Sequence, residues 1–294
     1  MPESTTWTGV GRDAPLDFTG PAWDRLTRLR GKGTVFARDL HAREAWATLA
    51  EVLGAGTAYG FAERVAVMWV RPDAFAAGAA RRLLDATQEA GFRPVAARRV
   101  RVDRCAVRAL WAYMCRWATV ERLWLLDALV ALGPGLLVLW ADSTGEPASV
   151  RLSALKGSNA PHRRTGTSLR DVAGAPNRLL TMVHTTDEPA DVVRELGVFC
   201  PWPQRAALVA EAARNLAGGV SCPLAEAVAA VEDELPPLGL PEPTTGAPAL
   251  DELVAGSLEQ RWAALWAASG TWPLLTRVPG PAAWSEQETR SPWR

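Results

Sequence analysis

Residues 179–196 read LLTMVHTTDEPADVVREL, and the fold turns on how this stretch is parsed. The apolar run Leu179–Val183 has the composition of a buried strand and delivers a single histidine, His184, at its end. A helix start follows at once. Asp187 and Glu188 supply negative charge at the first turn, and Pro189 suits the first helical position. Val192, Val193 and Leu196 then share one face. Glu195 lies about three turns of helix beyond His184 in sequence and can point back toward it. A histidine at a strand end, within reach of a carboxylate, has the makings of a tuned nucleophile or acid–base group.

The same alternation of apolar runs and breaks extends outward. Upstream, Val65–Val70 reads as a strand, and Pro72-Asp73 as a turn. Residues 75–90 read as a helix stopped by Gly91, and residues 93–102 as a second strand. Two helices over about 104–116 and 121–132 precede a third strand, 136–141. A basic, glycine-containing loop from Lys156 to Pro176 leads into the run that ends at His184. The resulting order, βαβααβ, then a loop, then βα, predicts an α+β fold rather than a doubly wound sheet. Three parts are expected: an N-terminal helical extension over 1–62, a central unit over 63–205, and a helical, Pro/Trp-rich extension over 206–294. In the first, Trp46, Leu49 and Leu53 line one helix face, and Gly54-Ala55-Gly56 is expected to end that helix. In the last, Leu235–Pro248 is expected to be a linker or surface loop before a helix near 250–268.

Composition narrows the function classes. Of the 294 residues, 48% are apolar, enough for a substantial core. The 32 basic residues balance the 32 acidic ones, so no global charge calls for nucleic acid or an anionic membrane. Only Lys32 and Lys156 among the basic residues are lysines. The four cysteines form no CxxC pair, which argues against zinc and a redox dithiol and points to a reducing, cytoplasmic setting. The polar start, MPESTTWTGVGRD, lacks the apolar core of a signal peptide. Residues 123–141 are apolar enough to raise the question of a membrane span, but Asp127 and Gly133-Pro134-Gly135 interrupt them. A buried helix followed by a buried strand is expected there. Fourteen tryptophans stand out. Trp69 and Trp140 fall on expected strands, whereas Trp262, Trp266, Trp272, Trp284 and Trp293 either pack an extension onto the core or form a partner surface. The chain carries no P-loop, HExxH, GxSxG or dinucleotide-binding glycine pattern.

In order along residues 64–205, several motifs resemble those of the nucleoside diphosphate kinase family. Arg71-Pro72-Asp73 is similar to its Lys-Pro-Asp, and Gly133-Pro134 to its Ser-Gly-Pro. Gly157-Ser158-Asn159 and Gly166-Thr167 resemble its Gly-x-Thr-Asn-Pro and Pro-Gly-Thr-Ile-Arg. His184-Thr185-Thr186-Asp187 resembles its His-Gly-Ser-Asp, with Glu195 at the spacing of the family glutamate. The resemblance implies a ferredoxin-like, antiparallel four-stranded sheet with helical extensions. It implies phosphoryl transfer from a nucleoside triphosphate, with Mg²⁺, through a phosphohistidine at His184. Glu195 would orient the imidazole and Thr186 place a hydroxyl nearby. Arg71, Tyr113, Arg170, Thr181 and Ser158 would hold the nucleotide and its phosphates, Arg170 once one residue is inserted before it. Family members form homo-oligomers; neither nucleic acid nor membrane is implied as a partner.

The departures from the pattern are specific. Arg71 replaces the family lysine, Thr181 an asparagine, and Thr185 a glycine. The second phosphate arginine falls at Leu152, beside Arg151, and no aromatic stands where the family stacks the base, although Trp117 and Trp124 flank that position. His162-Arg163-Arg164 adds basic residues outside the pattern. Other roles therefore stay open: a catalytically degenerate nucleotide-binding or structural module, and an enzyme repurposed for another phosphorylated metabolite.

Overall fold

The computed structural model describes residues 21–115, 118–242, 248 and 251–271. Four helices lead in: α1 (Pro21–Leu26), α2 (Lys32–Phe36), α3 (Leu40–Leu53) and α4 (Ala55–Arg64). The central part follows as β1 (Val65–Val70), α5 (Pro72–Ala76), α6 (Ala80–Glu89), β2 (Arg93–Val100), α7 (Arg104–Leu110), α8 (Ala112–Cys115), α9 (Val120–Ala131) and β3 (Gly135–Ala141). Then come α10 (Ala148–Lys156), a 3₁₀ turn (Pro161–Arg163), α11 (Leu169–Val172), β4 (Val183–Thr185) and α12 (Pro189–Phe199). Helices α13 (Trp202–Gly218), α14 (Ala225–Glu232) and α15 (Leu258–Thr271) finish the described chain.

The four strands form one sheet in the order β2-β3-β1-β4, with every neighbouring pair antiparallel. This is the ferredoxin-like arrangement expected from the sequence. The two inner strands, VAVMWV and GLLVLWA, are buried at every residue, as unbroken apolar runs require when both faces are covered. On β2, an edge strand, the exposure varies along its length and the register shifts between Pro94 and Ala96. Asn215 and Cys222 cap part of its free edge: the Asn215 carboxamide donates to Val95 O (2.9 Å), and Cys222 N–H donates to Pro94 O (2.8 Å). Trp23 and Leu26 of α1, Leu49 of α3 and Trp262 and Leu265 of α15 belong to the same hydrophobic cluster as the sheet.

Several elements depart from the sequence expectation. The fourth strand is short and late. Residues 179–182 are buried coil, because their backbone N–H groups find partners outside a ladder. Leu179 and Leu180 N–H both donate to the Asn177 side-chain oxygen at 2.9 Å, and Met182 N–H donates to the Asp73 carboxylate at 2.9 Å. Met182 itself adopts φ 63°, the left-handed region. His184 is consequently the middle residue of β4, opposite Trp69, rather than the residue after it. The helix expected over 75–90 is two helices parted at Gly78 (φ 68°), and Pro72 opens the first of them. The helix expected over 104–116 breaks at Trp111. Gly54 ends α3 as expected, but α4 starts at the next residue. Ahead of the basic loop lies an unanticipated helix, α10, and α11 lies within it. The apolar stretch 123–141 resolves into α9 and β3, and no helix among the described residues is long and apolar enough to cross a membrane. Trp262 is 1% exposed and packs edge-on against Trp266 at 5.4 Å. Trp117, Trp272, Trp284, Trp293 and part of the expected linker lie outside the described residues.

Helices α3 and α12 approach closely where α12 has a glycine. A Cβ on Gly197 would stand 2.2 Å from the carbonyl oxygen of His41. Alanine raises intrinsic helix propensity by about 1 kcal/mol over glycine. Here the overlap outweighs it, because both contacting groups are backbone. Gly197→Ala is expected to destabilise the protein by about 2 kcal/mol net, read as a lowered denaturant midpoint with an unchanged slope; an unchanged or higher midpoint refutes the close packing.

Candidate active site

Sheet and helix bring His184 and Glu195 together. His184 Nε2 lies 2.9 Å from Glu195 Oε2, and the two side chains are 14% and 8% exposed. The histidine is fixed by the β1–β4 register; the glutamate sits on the second turn of α12. Helix α12 begins where the sequence placed it, with Glu188 at the N-cap and Pro189 in the first turn. The Asp191 carboxylate accepts the Glu188 N–H at 2.9 Å. Glu188 is 1% exposed and receives Thr27 Oγ1 (2.7 Å), Arg28 N–H (3.2 Å) and Lys32 Nζ (2.9 Å). Lys32 also reaches Asp191 at 2.6 Å. The start of the site-bearing helix is thus anchored by residues of the N-terminal extension.

Trp111 closes another side of the imidazole, edge-on at 5.8 Å between ring centroids. The Arg71 guanidinium lies 5.9 Å from both the Trp111 and Trp69 rings. Arg71 is 2% exposed, and its donors are directed inward. Nε pairs with Asp73 (3.1 Å), Nη1 donates to Thr181 Oγ1, and Nη2 donates to Leu179 O (2.8 Å). The neighbouring Arg170 is 8% exposed, and its Nη1 donates to Gly157 O at 2.7 Å. Burial, then the nearby Arg71 and Arg164 cations, pull the Arg170 guanidinium down to about 10.

The residues singled out in the sequence are therefore placed unequally. His184, Glu195, Arg71 and Thr181 share one neighbourhood, with Arg170 in electrostatic reach of Arg71. The Thr186 hydroxyl closes onto β1 instead, accepting from Val67 N–H at 3.1 Å. Ser158 Oγ accepts from Ala160 N–H within its own loop. Tyr113 is turned toward the N-terminal extension: its hydroxyl donates to Asp39 (2.9 Å) and its ring stacks on Phe36. Trp111, and not Tyr113, is the aromatic against His184, and no sequence motif marks it. The break at Trp111 is what separates them, and a continuous helix gave no hint of it. Arg151, the other residue considered for phosphate, pairs with Asp142 and covers the Phe92 ring. Among the described residues, no three His, Cys, Asp or Glu side chains converge as a metal site.

No protein-family model matches the chain, and no curated protein matches it in sequence. Among solved structures it is similar to the nucleoside diphosphate kinase of Encephalitozoon cuniculi, at 14% identity and a TM-score of 0.40, over 46% of this chain and 87% of that one. It is also similar to the Aquifex aeolicus nucleoside diphosphate kinase, at 20% identity and a TM-score of 0.39, over 47% and 95%. A third, an NDP kinase from Pyrobaculum aerophilum, is 15% identical with a TM-score of 0.38, over 47% and 96%. The fold assignment rests on the sheet order and register of this chain.

The Tyr113 environment has a measurable signature. Burial, the hydrogen bond to Asp39 and the Asp39 charge together push the Tyr113 phenol up to about 12. A raised value favours the protonated phenol in the folded state, so its contribution to stability is intact below pH 10 and lost as pH climbs toward 12. Ultraviolet titration of a Tyr59→Phe variant, which leaves Tyr113 as the lone phenol, is expected to show this late ionisation. Adding Asp39→Asn is expected to return it toward the ordinary range. An ionisation near 10 with Asp39 intact contradicts the contact.

Proposed function

We propose that the protein is a divergent phosphotransferase that takes a phosphoryl group from a nucleoside triphosphate onto His184. The observation that carries this reading is the 2.9 Å contact between His184 Nε2 and Glu195 Oε2. With a neutral imidazole donating its Nε2 proton to the carboxylate, Nδ1 keeps a lone pair for attack. Nδ1 forms a bond to the terminal phosphorus as the bond to the bridging oxygen breaks, and the diphosphate leaves with that electron pair. An acceptor oxygen then bonds to the phosphorus as the P–N bond breaks, the electron pair returns to Nδ1 to regenerate the neutral imidazole, and any proton on the acceptor oxygen passes to water. The edge of Trp111 and the sheet beneath restrict where the ring can turn. Mg²⁺ in this reading enters on the phosphates of the nucleotide rather than in a protein cage, as is usual for that ion.

The same proposal treats residues 63–205 as the transferring unit, and residues 1–62 and 206–294 as additions to it. Thr186, Ser158, Thr181 and Tyr113 are given no direct part, since their hydroxyls are engaged within the protein. A second reading, a nucleotide-binding module without transfer, is favoured by one observation: Arg71 directs its donors to Asp73, Thr181 and Leu179 rather than outward.

Incubation with ATP and Mg²⁺ followed by intact-mass measurement separates the two. The expected result is an acid-labile phosphoryl adduct that is missing in His184→Ala. In Glu195→Gln its formation is expected to slow by about tenfold to a hundredfold, the usual loss when an orienting partner is altered. Nucleotide binding without any adduct, across a range of nucleoside triphosphates, supports the second reading and ends the first.

A further inference from the structure

The two contacts on the His184 imidazole trace back to consecutive residues of α12. Glu195 reaches the ring directly, at 2.9 Å from Nε2. Its neighbour Arg194 leaves the helix about 100° around the axis and reaches α7. Arg194 is 3% exposed. Its Nε donates to Asp39 at 2.8 Å, its Nη1 to Leu110 O at 3.2 Å, and its Nη2 to Ala109 O. These two carbonyls belong to the last turn of α7. In a helix continuous through this point they would receive the N–H groups of residues 113 and 114. Here α7 ends at Leu110, and Trp111 follows with φ −108° and ψ 28°. A guanidinium fork suits such a helix end, because it fills several open acceptors at once and brings positive charge to the negative end of the helix dipole. The residue released at that end, Trp111, is the one whose ring stands edge-on to His184 at 5.8 Å. The guanidinium is itself held: the Phe36 and Tyr113 ring centroids lie 5.5 Å and 5.1 Å from it. Its carboxylate partner, Asp39, also caps α3 by accepting the Ala42 N–H at 3.0 Å. Burial raises the Asp39 carboxyl, but the bond and charge of Arg194, with the Ala42 and Tyr113 bonds, outweigh it and hold the group below its ordinary value.

We infer that Arg194 is a positioning residue for His184: by claiming the last carbonyls of α7 it sets Trp111 against the imidazole that Glu195 holds through Nε2. All three of its nitrogens are engaged within the protein, so it acts through Trp111 rather than on a substrate. A ring held at Nε2 alone can pivot about that hydrogen bond, and an indole edge at a second point stops the pivot. Arg194 lies outside the motifs named above, and its partner Asp39 lies in the N-terminal extension. The extension is thereby part of the geometry of the site and not a cover laid over it. The inference rests on the function proposed above only for the chemistry that the ring performs; the placement of the ring is read without any nucleotide.

Nitrogen-15 NMR of the histidine rings in the full chain tests it. The chain has three histidines, and the His184 signals are those missing in His184→Ala. In the wild type the neutral ring is expected to show one tautomer, protonated at Nε2, and a ring-current displacement from Trp111. Trp111→Leu gives the position of the signals without that indole. Arg194→Met is expected to move them to that position and to mix the tautomers. Arg194→Lys is expected to move them part of the way, since one ammonium cannot span a carboxylate and two carbonyls. Arg205→Met is the comparison, a guanidinium 2% exposed that bonds Thr48 on α3 and Cys200 O at the end of α12. It is expected to lower stability and leave the His184 signals in place. Should Arg194→Met fail to fold, Asp39→Asn, which keeps the shape of that side chain and removes its charge, is expected to move the signals in the same direction. Unmoved signals overturn the inference, and so does an equal shift in Arg205→Met, which would mark general loosening. Where the phosphoryl adduct forms, its rate in Arg194→Met is expected to fall by about tenfold to a hundredfold, and an unchanged rate also overturns the role. Shifted signals in a protein that forms no adduct with any nucleoside triphosphate leave the positioning standing and remove the transfer chemistry.

Discussion

The Arg71–Asp73 pair is the constraint on which the rest of the site depends. Both groups are buried, at 2% and 0% exposure, and between them they determine the path of residues 179–182. Asp73 accepts the Met182 N–H as well as Arg71 Nε, while Arg71 reaches Thr181 and Leu179 and its own N–H donates to Met182 O. The segment so held has no strand ladder of its own, yet it delivers His184 in register with Trp69. Removing either partner would leave the other as an uncompensated buried charge, a loss of about 3–5 kcal/mol in comparable pairs. A lysine could not substitute, because one ammonium cannot spread its donors over a carboxylate, a hydroxyl and a carbonyl along a planar fork.

The N-terminal extension acts on the same neighbourhood from the other side. Lys32, Thr27 and Arg28 converge on Glu188, and Asp39 holds Arg194 at 2.8 Å. Arg194 in turn donates to the carbonyls of Ala109 and Leu110, at the end of α7 and next to Trp111. One buried guanidinium therefore ties the extension, α12 and the aromatic wall of the site together. The chain's two lysines, Lys32 and Lys156, both pair with carboxylates at the start of α12. In a chain that otherwise uses arginine, these are places where a compact ammonium meets closely spaced carboxylates.

Legibility in the sequence followed from how local the determining interactions are. The inner strands were readable because burial on both faces leaves an unbroken apolar run, as in VAVMWV and GLLVLWA. The start of α12 was readable because capping is decided within one turn, by Glu188, Pro189 and Asp191. The Leu179–Val183 run was apolar for the same reason as a strand, but its N–H groups were claimed by Asp73 and Asn177. Helix α10 escaped notice because ASVRLSALK presents no clear apolar stripe. Tyr113 is marked only by the family resemblance, whereas Trp111 belongs to no motif and sits at a break in a helix that the sequence predicts as continuous over 104–116.

The sequence by itself determined the class of fold, the extents of β1 and β3, and the pairing of His184 with Glu195, since strand burial and helix capping are written in neighbouring residues. Only the tertiary structure decided which aromatic faces the histidine, that Arg71 is directed inward, and that Arg164 and Arg170 donate to carbonyls of their own loop. Those outcomes depend on partners such as Thr181 for Arg71 and Asp39 for Tyr113, far away along the chain. Such contacts are selected by the packing of the whole core, and no local pattern encodes them.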